Sequence, residues 1–234
     1  METTVHEIAA GIYRLSTMVT LGNGAQLPFN QFLVKGEEAM LYHCGQRSLY
    51  ASVEQAVATI IDPATLKWIG FSHIESDECG SLDQWMARAP NATVVHGRIG
   101  CNIWLNEMAP RKPRALADNE VIDLGGKKMR RLDTPHLPHC WDAGLMLEES
   151  TGTLFSSDLF TQFGQSPPTT TGDIVGPAIA AEKNFGFCPT GPQTAAKIRK
   201  LAALKPRTIA LMHGPSYLGD GGKALEELAG FYAA

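Results

Sequence analysis

Cysteine is scarce and scattered: the five residues Cys44, Cys79, Cys101, Cys140 and Cys188 contain no C-x-x-C pair. An odd, widely spaced set argues against a disulfide framework and against a cysteine-type zinc site, and it fits a reducing cytoplasm. Long apolar runs are missing too, so no stretch is suited to span a bilayer. Residues 1–8 carry Glu2 and Glu7 and lack the basic start and apolar centre of a signal peptide. Neither sign of charge dominates, with 20 Lys and Arg against 24 Asp and Glu and a net charge of −4. The basic residues are dispersed, which excludes the footprint of a nucleic-acid binder and of a polybasic membrane anchor. A small-molecule partner is the expectation that remains.

What is present is a chain of 234 residues, 44% of them hydrophobic, enough for one sizeable core over 1–234. Apolar runs punctuated by Gly22, Gly24 and Gly36 predict strands over 7–15, 29–34 and 39–43. A helix over 48–61, a buried strand over 66–71 and a helix from Ser81 follow, the last with Ser81 and Gln84 at capping-box spacing. The alternation continues with a strand over 93–96 and a helix over 101–108. It then gives way to sequential strands over 121–124, 129–132, 145–148 and 153–157, with Gly152 in a hairpin turn. Residues 161–176, rich in Gly, Pro and Thr, read as a long loop, before a helix over 193–204, a strand over 208–212 and a helix over 223–232. Two sheets sandwiched between helices is the simplest way to bury these elements.

The chemistry concentrates at strand ends. His73, Glu75 and Asp77 alternate after a buried strand, so an extended backbone would point all three to one side, and Glu78 lies just before a turn that could return it. His139, Asp158 and His213 each end or follow a strand, where a rigid scaffold presents side chains to a cleft. His43 and His136 are candidates for orienting a ligand, whereas His6 and His96 read as ordinary core or surface histidines. Trp141, Phe155 and Phe160 read as core, and Cys79 and Cys140 as packing residues.

Four motifs occur in a telling order: H-x-E-x-D-E at 73–78, P-H-x-W-D-A-G at 138–144, S-S-D-L-F at 156–160 and M-H-G at 212–214. In this the chain resembles the metallo-β-lactamase superfamily, and within it the metal domain of the flavodiiron proteins and the flavin-free oxygen-binding di-iron proteins. The resemblance implies an αββα sandwich in which His73, Glu75 and His139 hold one metal, Asp77 and His213 the other, and Asp158 bridges them. The family usually has a histidine where Glu78 stands, so either Glu78 supplies an oxygen ligand or the second metal keeps an open position.

Hydrolytic members of the superfamily typically have histidine in place of Glu75. Three histidines with up to four carboxylates suit two iron ions better than zinc, with manganese also possible. The run Thr169-Thr170-Thr171-Gly172-Asp173 follows Pro167 and Pro168 instead of a buried strand, and no flavodoxin-like module fits after His213, so no FMN is expected in this chain. The implied function is binding or reduction of dioxygen or nitric oxide, with electrons from an external electron-transfer protein. A zinc or manganese hydrolase of a thioester, lactone or phosphodiester, and a non-catalytic oxygen sensor, are the alternatives. A homodimer is a weaker expectation, with contacts sought in the 161–176 loop.

Overall fold

A computed structural model describes residues 1–233. The chain opens with three long antiparallel strands, β1 (Thr3–Ala9), β2 (Ile12–Thr20) and β3 (Gln26–Val34). The single strand expected over 7–15 is thus a hairpin. Gly11, at φ +70°, supplies the left-handed turn that separates its two halves. Then β4 (Met40–Tyr42), α1 (Tyr50–Ala58), β5 (Trp68–Gly70), α2 (Ser76–Cys79), α3 (Leu82–Arg88) and β6 (Thr93–Gly97) alternate. A helical segment follows, with α4 (Arg98–Gly100) running through a π-turn over Cys101–Leu105 into α5 (Asn106–Met108), and β7 (Arg114–Leu116) closes the half.

The second half begins as the expected meander: β8 (Val121–Asp123), β9 (Lys128–Asp133), β10 (Gly144–Glu148) and β11 (Thr153–Ser157), with Gly152 at φ +67° in the last turn. It continues with β12 (Thr169–Thr170), α6 (Val175–Phe185), α7 (Pro192–Ala202), β13 (Thr208–Leu211), β14 (Ser216–Leu218) and α8 (Gly221–Tyr232). Among the described residues the strands form two seven-stranded sheets, one in the order β1 to β7 and one in the order β12-β14-β13-β11-β10-β9-β8. The pairs from β4 to β7 are parallel, as is β11 with β13, and the remaining β1–β4 and β8–β11 pairs are antiparallel.

Strand periodicity distributes the apolar residues over three layers. On β3, Leu27, Phe29 and Leu33 face the helices of the first half, while Phe32 and Val34 face the second sheet. On β10 and β11, Leu145, Leu147 and Leu154 pack under α6, α7 and α8, whereas Met146 and Phe155 meet Phe32 and Tyr42 between the sheets. The Phe32 and Phe155 rings meet edge to face with centroids 5.4 Å apart. Burying each such side chain stabilises the fold by about 2 kcal/mol. The result is the αββα sandwich, its two central sheets buried on both faces.

Two local expectations fail for identifiable reasons. Ser81 does stand at the start of α3, but makes no capping bond, because its hydroxyl donates instead to the Cys44 carbonyl at 2.7 Å. Residues 161–176 are not simply a loop: Thr169 and Thr170 pair with β14, and Asp173 accepts from the amides of Val175 (2.8 Å) and Gly176 (3.1 Å) to start α6. No helix among the described residues is long and apolar enough to cross a membrane.

Candidate metal centre

The candidate ligands gather where β5, β11 and β13 run out at one edge of the sandwich. β11 and β13 are parallel, and a bulge between Phe155 and Ser157 shifts their register by one residue, from Phe155 opposite Ala210 to Ser157 opposite Leu211; Asp158 and His213 leave these two strands at the same end and approach to 3.4 Å. Past β5 the chain runs without regular structure through His73 to Glu75, which sits in extended conformation at the start of α2. Alternation therefore aligns His73 with Glu75 only. Asp77 lies in the first turn of α2, and the helical rotation aims it at His213. His139 comes from the β9–β10 connection.

These side chains form two groups sharing one residue. In the first, Glu75 Oε2 lies 3.1 Å from His73 Nε2 and 2.8 Å from His139 Nε2, while Asp158 Oδ2 lies 3.4 and 3.5 Å from the same nitrogens. In the second, His213 Nε2 lies 3.1 Å from Asp77 Oδ2 and 3.4 Å from Asp158 Oδ1. Within each group the potential ligand atoms all lie within 4.8 Å of one another. Asp158 thus turns one oxygen to each group.

The donor chemistry fits a pair of cations. Asp158 Oδ2 is buried and has no hydrogen-bond partner. His213 Nδ1 is 2.9 Å from the Pro28 carbonyl, an acceptor, so that nitrogen carries the proton and a neutral ring presents the Nε2 lone pair to two carboxylates. Acceptor facing acceptor in a buried site is reconciled only by a proton or a metal ion. The electrostatics of the metal-free site express the same demand. Burial opposes charge on His213, but Asp158 and Asp77 outweigh it and raise its pKa to about 10. For His139, too, burial is outweighed by Glu75 and Asp158 and the pKa rises. The hydrogen bonds from His139 and His73 hold Glu75 down to about 2, and Asp158, despite its burial, is held well below the usual carboxylate range by His213, His73 and His139.

Glu78 stands apart from both groups. It is fully buried, its Oε1 accepts from Ser157 Oγ at 2.8 Å, and its Oε2 contacts His43 Nδ1. Residue 78 lies one position past Asp77 on the helix, and that rotation directs it into the protein interior, so the alternative of an oxygen ligand at Glu78 has no support in the geometry. His43, a candidate for orienting a ligand, touches Glu78. His136 is exposed and contributes to the ligand loop through its backbone, donating to the Cys140 carbonyl at 2.8 Å.

His96, read as an ordinary histidine, has a larger part. Its Nε2 lies 2.8 Å from Asp142 Oδ2, which also accepts from Trp104 Nε1 at 3.2 Å, and Arg131 donates to the Asp142 carbonyl at 3.2 Å. This buried set ties the loop carrying His139 to β6, β9 and the π-turn; the aspartate of P-H-x-W-D was the available signal. Phe155 and Phe160 are core as expected, whereas Trp141 is 58% exposed. Cys140 Sγ groups with His73 and His139 within the same 4.8 Å span and is 3.8 Å from the Ile74 carbonyl; Cys79 Sγ meets the Glu75 carbonyl at 3.3 Å.

Backbone strain is concentrated here. His43, His136, Cys140, Ser157 and Phe160 have φ between +52° and +67°, a region disfavoured for residues with a Cβ. Such strain, of order 1–3 kcal/mol per residue, recurs at functional sites. In front of the ligands lies a cavity of about 320 Å³ whose wall includes Leu27, Thr161, Phe163, Phe185 and Phe187. Phe163 and Phe185 stack at its mouth, centroids 4.8 Å apart and planes 22° from parallel.

The sequence model of the ODP family beta lactamases matches residues 27–214, a span that contains every ligand candidate. A diflavin flavoprotein of Nostoc sp. PCC 7120 is 29% identical over 195 residues, covering 80% of this chain and 33% of the relative. A flavo-diiron protein of Clostridium acetobutylicum is 24% identical over 203 residues, covering 82% and 50% respectively. The chain thus spans a third to a half of the length of these relatives. Among solved structures, the rubredoxin oxygen:oxidoreductase of Desulfovibrio gigas superposes with a TM-score of 0.85 at 17% identity, over 97% of this chain and 61% of that one. At that identity the superposition speaks for the shared sandwich alone.

Proposed function

Because this chain belongs to the ODP family of β-lactamase-fold proteins, we propose that its clustered histidines and carboxylates hold two iron ions and bind, or with outside electrons reduce, dioxygen or nitric oxide. The observation that carries this reading is Asp158, buried, with one oxygen turned to each of two ligand groups. His73, Glu75, His139 and Asp158 would hold one ion, and Asp77, His213 and Asp158 the other. When bound, a ferrous pair supplies electrons and open coordination positions for a diatomic molecule.

The donor set favours iron or manganese over zinc. With Glu78 turned away, three carboxylates face three imidazoles, so two divalent ions would keep a residual positive charge instead of the full balance that a fourth carboxylate would give. Glu75 still supplies an oxygen where a hydrolytic relative supplies a nitrogen, and oxygen-rich sets suit iron and manganese. The protein's own residues do the rest. The Pro28 carbonyl orients His213, the His96–Asp142 pair orients the His139 loop, and Leu27, Phe163, Phe185 and Phe187 give the cavity an apolar wall. An apolar mouth admits a small uncharged molecule and offers no cationic group to recognise a phosphodiester.

All the strands and helices of residues 1–233 are spent on the sandwich, so in this reading electrons come from a redox partner outside it. The free state of all five cysteines fits a reducing compartment such as the cytoplasm. The test is elemental analysis of protein made with ample iron, combined with absorption spectra after reduction and after exposure to air. Two irons per chain and a spectral response to oxygen are expected. Zinc-only protein that hydrolyses thioesters or lactones, with turnover lost in His73→Ala, would overturn the proposal.

A further inference from the structure

Glu78 is a fully buried acid that the metal reading does not use, and no lysine or arginine among the described residues forms an ion pair with it. It anchors a chain of short hydrogen bonds leading back to the metal face. Ser157 Oγ donates to Glu78 Oε1 at 2.8 Å, Ser157 Oγ lies 2.7 Å from Ser72 Oγ, and Ser72 Oγ lies 2.6 Å from His73 Nδ1. His43, Ser72, His73 and Ser157 are all fully buried. Glu78 also ties down backbone: its carbonyl accepts from the Cys44 amide at 2.7 Å, joining the end of β4 to α2.

The chain has only one self-consistent direction. A hydroxyl has a single proton. Ser157 spends its proton on Glu78 Oε1, so its contact with Ser72 must be one in which it accepts. Ser72 then spends its proton on Ser157 and can only accept from His73. Whichever of His43 Nδ1 and Glu78 Oε2 holds the proton between them, Oε1 stays an acceptor. The order set at Glu78 therefore arrives at His73 as a proton on Nδ1, which leaves Nε2 as the nitrogen available to a metal. Nε2 is the atom 3.1 Å from Glu75 Oε2 and 3.4 Å from Asp158 Oδ2.

We infer that Glu78 is a positioning residue, which through Ser157 and Ser72 fixes the tautomer and ring plane of His73 for metal binding. The inference rests on the metal reading of His73. It gives a physical role to the one acid of the H-x-E-x-D-E motif that joins neither ligand group. The same bonds hold Ser157, strained at φ +52° and directly before Asp158, so one buried acid steadies both a terminal ligand and the shared one.

The test uses Ser72→Ala, Ser157→Ala, Glu78→Leu and Glu78→Gln, each checked for folding by circular dichroism. Nitrogen-15 NMR of the His73 ring in metal-free protein reads the tautomer directly, and competition with a chromophoric chelator reads affinity for zinc as a diamagnetic probe. We expect a slowly exchanging Nδ1 proton in the wild type. It should be lost in Ser72→Ala, with a 10- to 100-fold weakening of the tighter zinc site, the usual effect of removing a ligand's outer partner. Glu78→Gln keeps an amide oxygen for Ser157 and should retain both properties, while Glu78→Leu, if it folds, should lose them. A His73 ring with no proton on Nδ1 in the wild type, or wild-type zinc affinity in both serine variants, would overturn the inference. A wild type that binds neither iron nor zinc would instead defeat the metal reading, and the metal-free NMR measurement separates the two failures.

Discussion

Without metal, the second ligand group is held together by a proton on His213, and that proton makes the stability of the metal-free protein depend on alkaline pH. His213 lies 3.1 Å from Asp77 and 3.4 Å from Asp158, and these carboxylates outweigh burial and raise its pKa from 6.5 to about 10. A group whose pKa is higher in the folded than in the unfolded state binds its proton more tightly when folded. Its contribution is complete below pH 6.5 and disappears as pH rises through about 10. At about 1.36 kcal/mol per pKa unit the rise is worth roughly 5 kcal/mol, a ceiling to which the matching depression of Asp158 must not be added, since it is the other end of the same contact. The raised pKa of His139 acts in the same direction. Urea unfolding of chelator-stripped protein at pH 6.5, 8 and 9.5 should show stability falling by up to ~1.4 kcal/mol per pH unit. In loaded protein a cation takes the proton's place, and the decline should vanish. A stripped protein with flat stability across this range, or a loaded one with the same slope, would refute the account, and Asp77→Asn should make the slope of stripped protein shallower.

Two further outcomes follow from particular contacts. A Cβ added at Gly144 would lie 2.0 Å from Arg131 Nη2, so Gly144→Ala must displace a buried guanidinium that holds the Asp142 carbonyl; denaturant unfolding should show a loss of about 1–3 kcal/mol or more. Glu75→His replaces the oxygen between His73 and His139 with a nitrogen, and protein made with iron and zinc equally supplied should carry a zinc-to-iron ratio several-fold higher than wild type, measured by elemental analysis. An unchanged ratio would mean that Glu75 does not select the metal.

The fold was legible where periodicity and punctuation agreed. The meander from β8 to β11 is a series of short strands set off by turns, the last of them the hairpin before β11 where Gly152 supplies the left-handed residue. β1 and β2 merged into one expected strand because Ala10 and Gly11 form a turn too short to interrupt an apolar pattern. α6 escaped notice because Gly176 and Pro177, poor residues in a helix interior, stand in its first turn, where proline needs no amide partner and Asp173 supplies the missing acceptor. Six of the proposed ligands were legible from their places at strand ends and in ordered motifs. The direction of Glu78 was not, since a change of one position on a four-residue helix decides between cavity and interior. Trp141 and His96 exchanged expectations for a similar reason: aromatic character says nothing about which side of a loop faces water.

That change of one position has consequences for the proposed chemistry. With Glu78 facing Ser157 and His43, the two groups are unequal, with His73, Glu75, His139 and Asp158 on one side and only Asp77, Asp158 and His213 on the other. An ion in the second group would leave more of its coordination to outside molecules, and Asp77 and His213 border the same apolar cavity as Phe163 and Phe185. The first group has the opposite character: its His73 is backed by a buried chain of fixed polarity, and its His139 by a loop anchored through Asp142. A rigid, fully equipped position beside a more open one suits capture of a diatomic molecule between two ions. In this reading the carboxylate at 78 gives up a ligand at the open position and strengthens the outer support of the closed one.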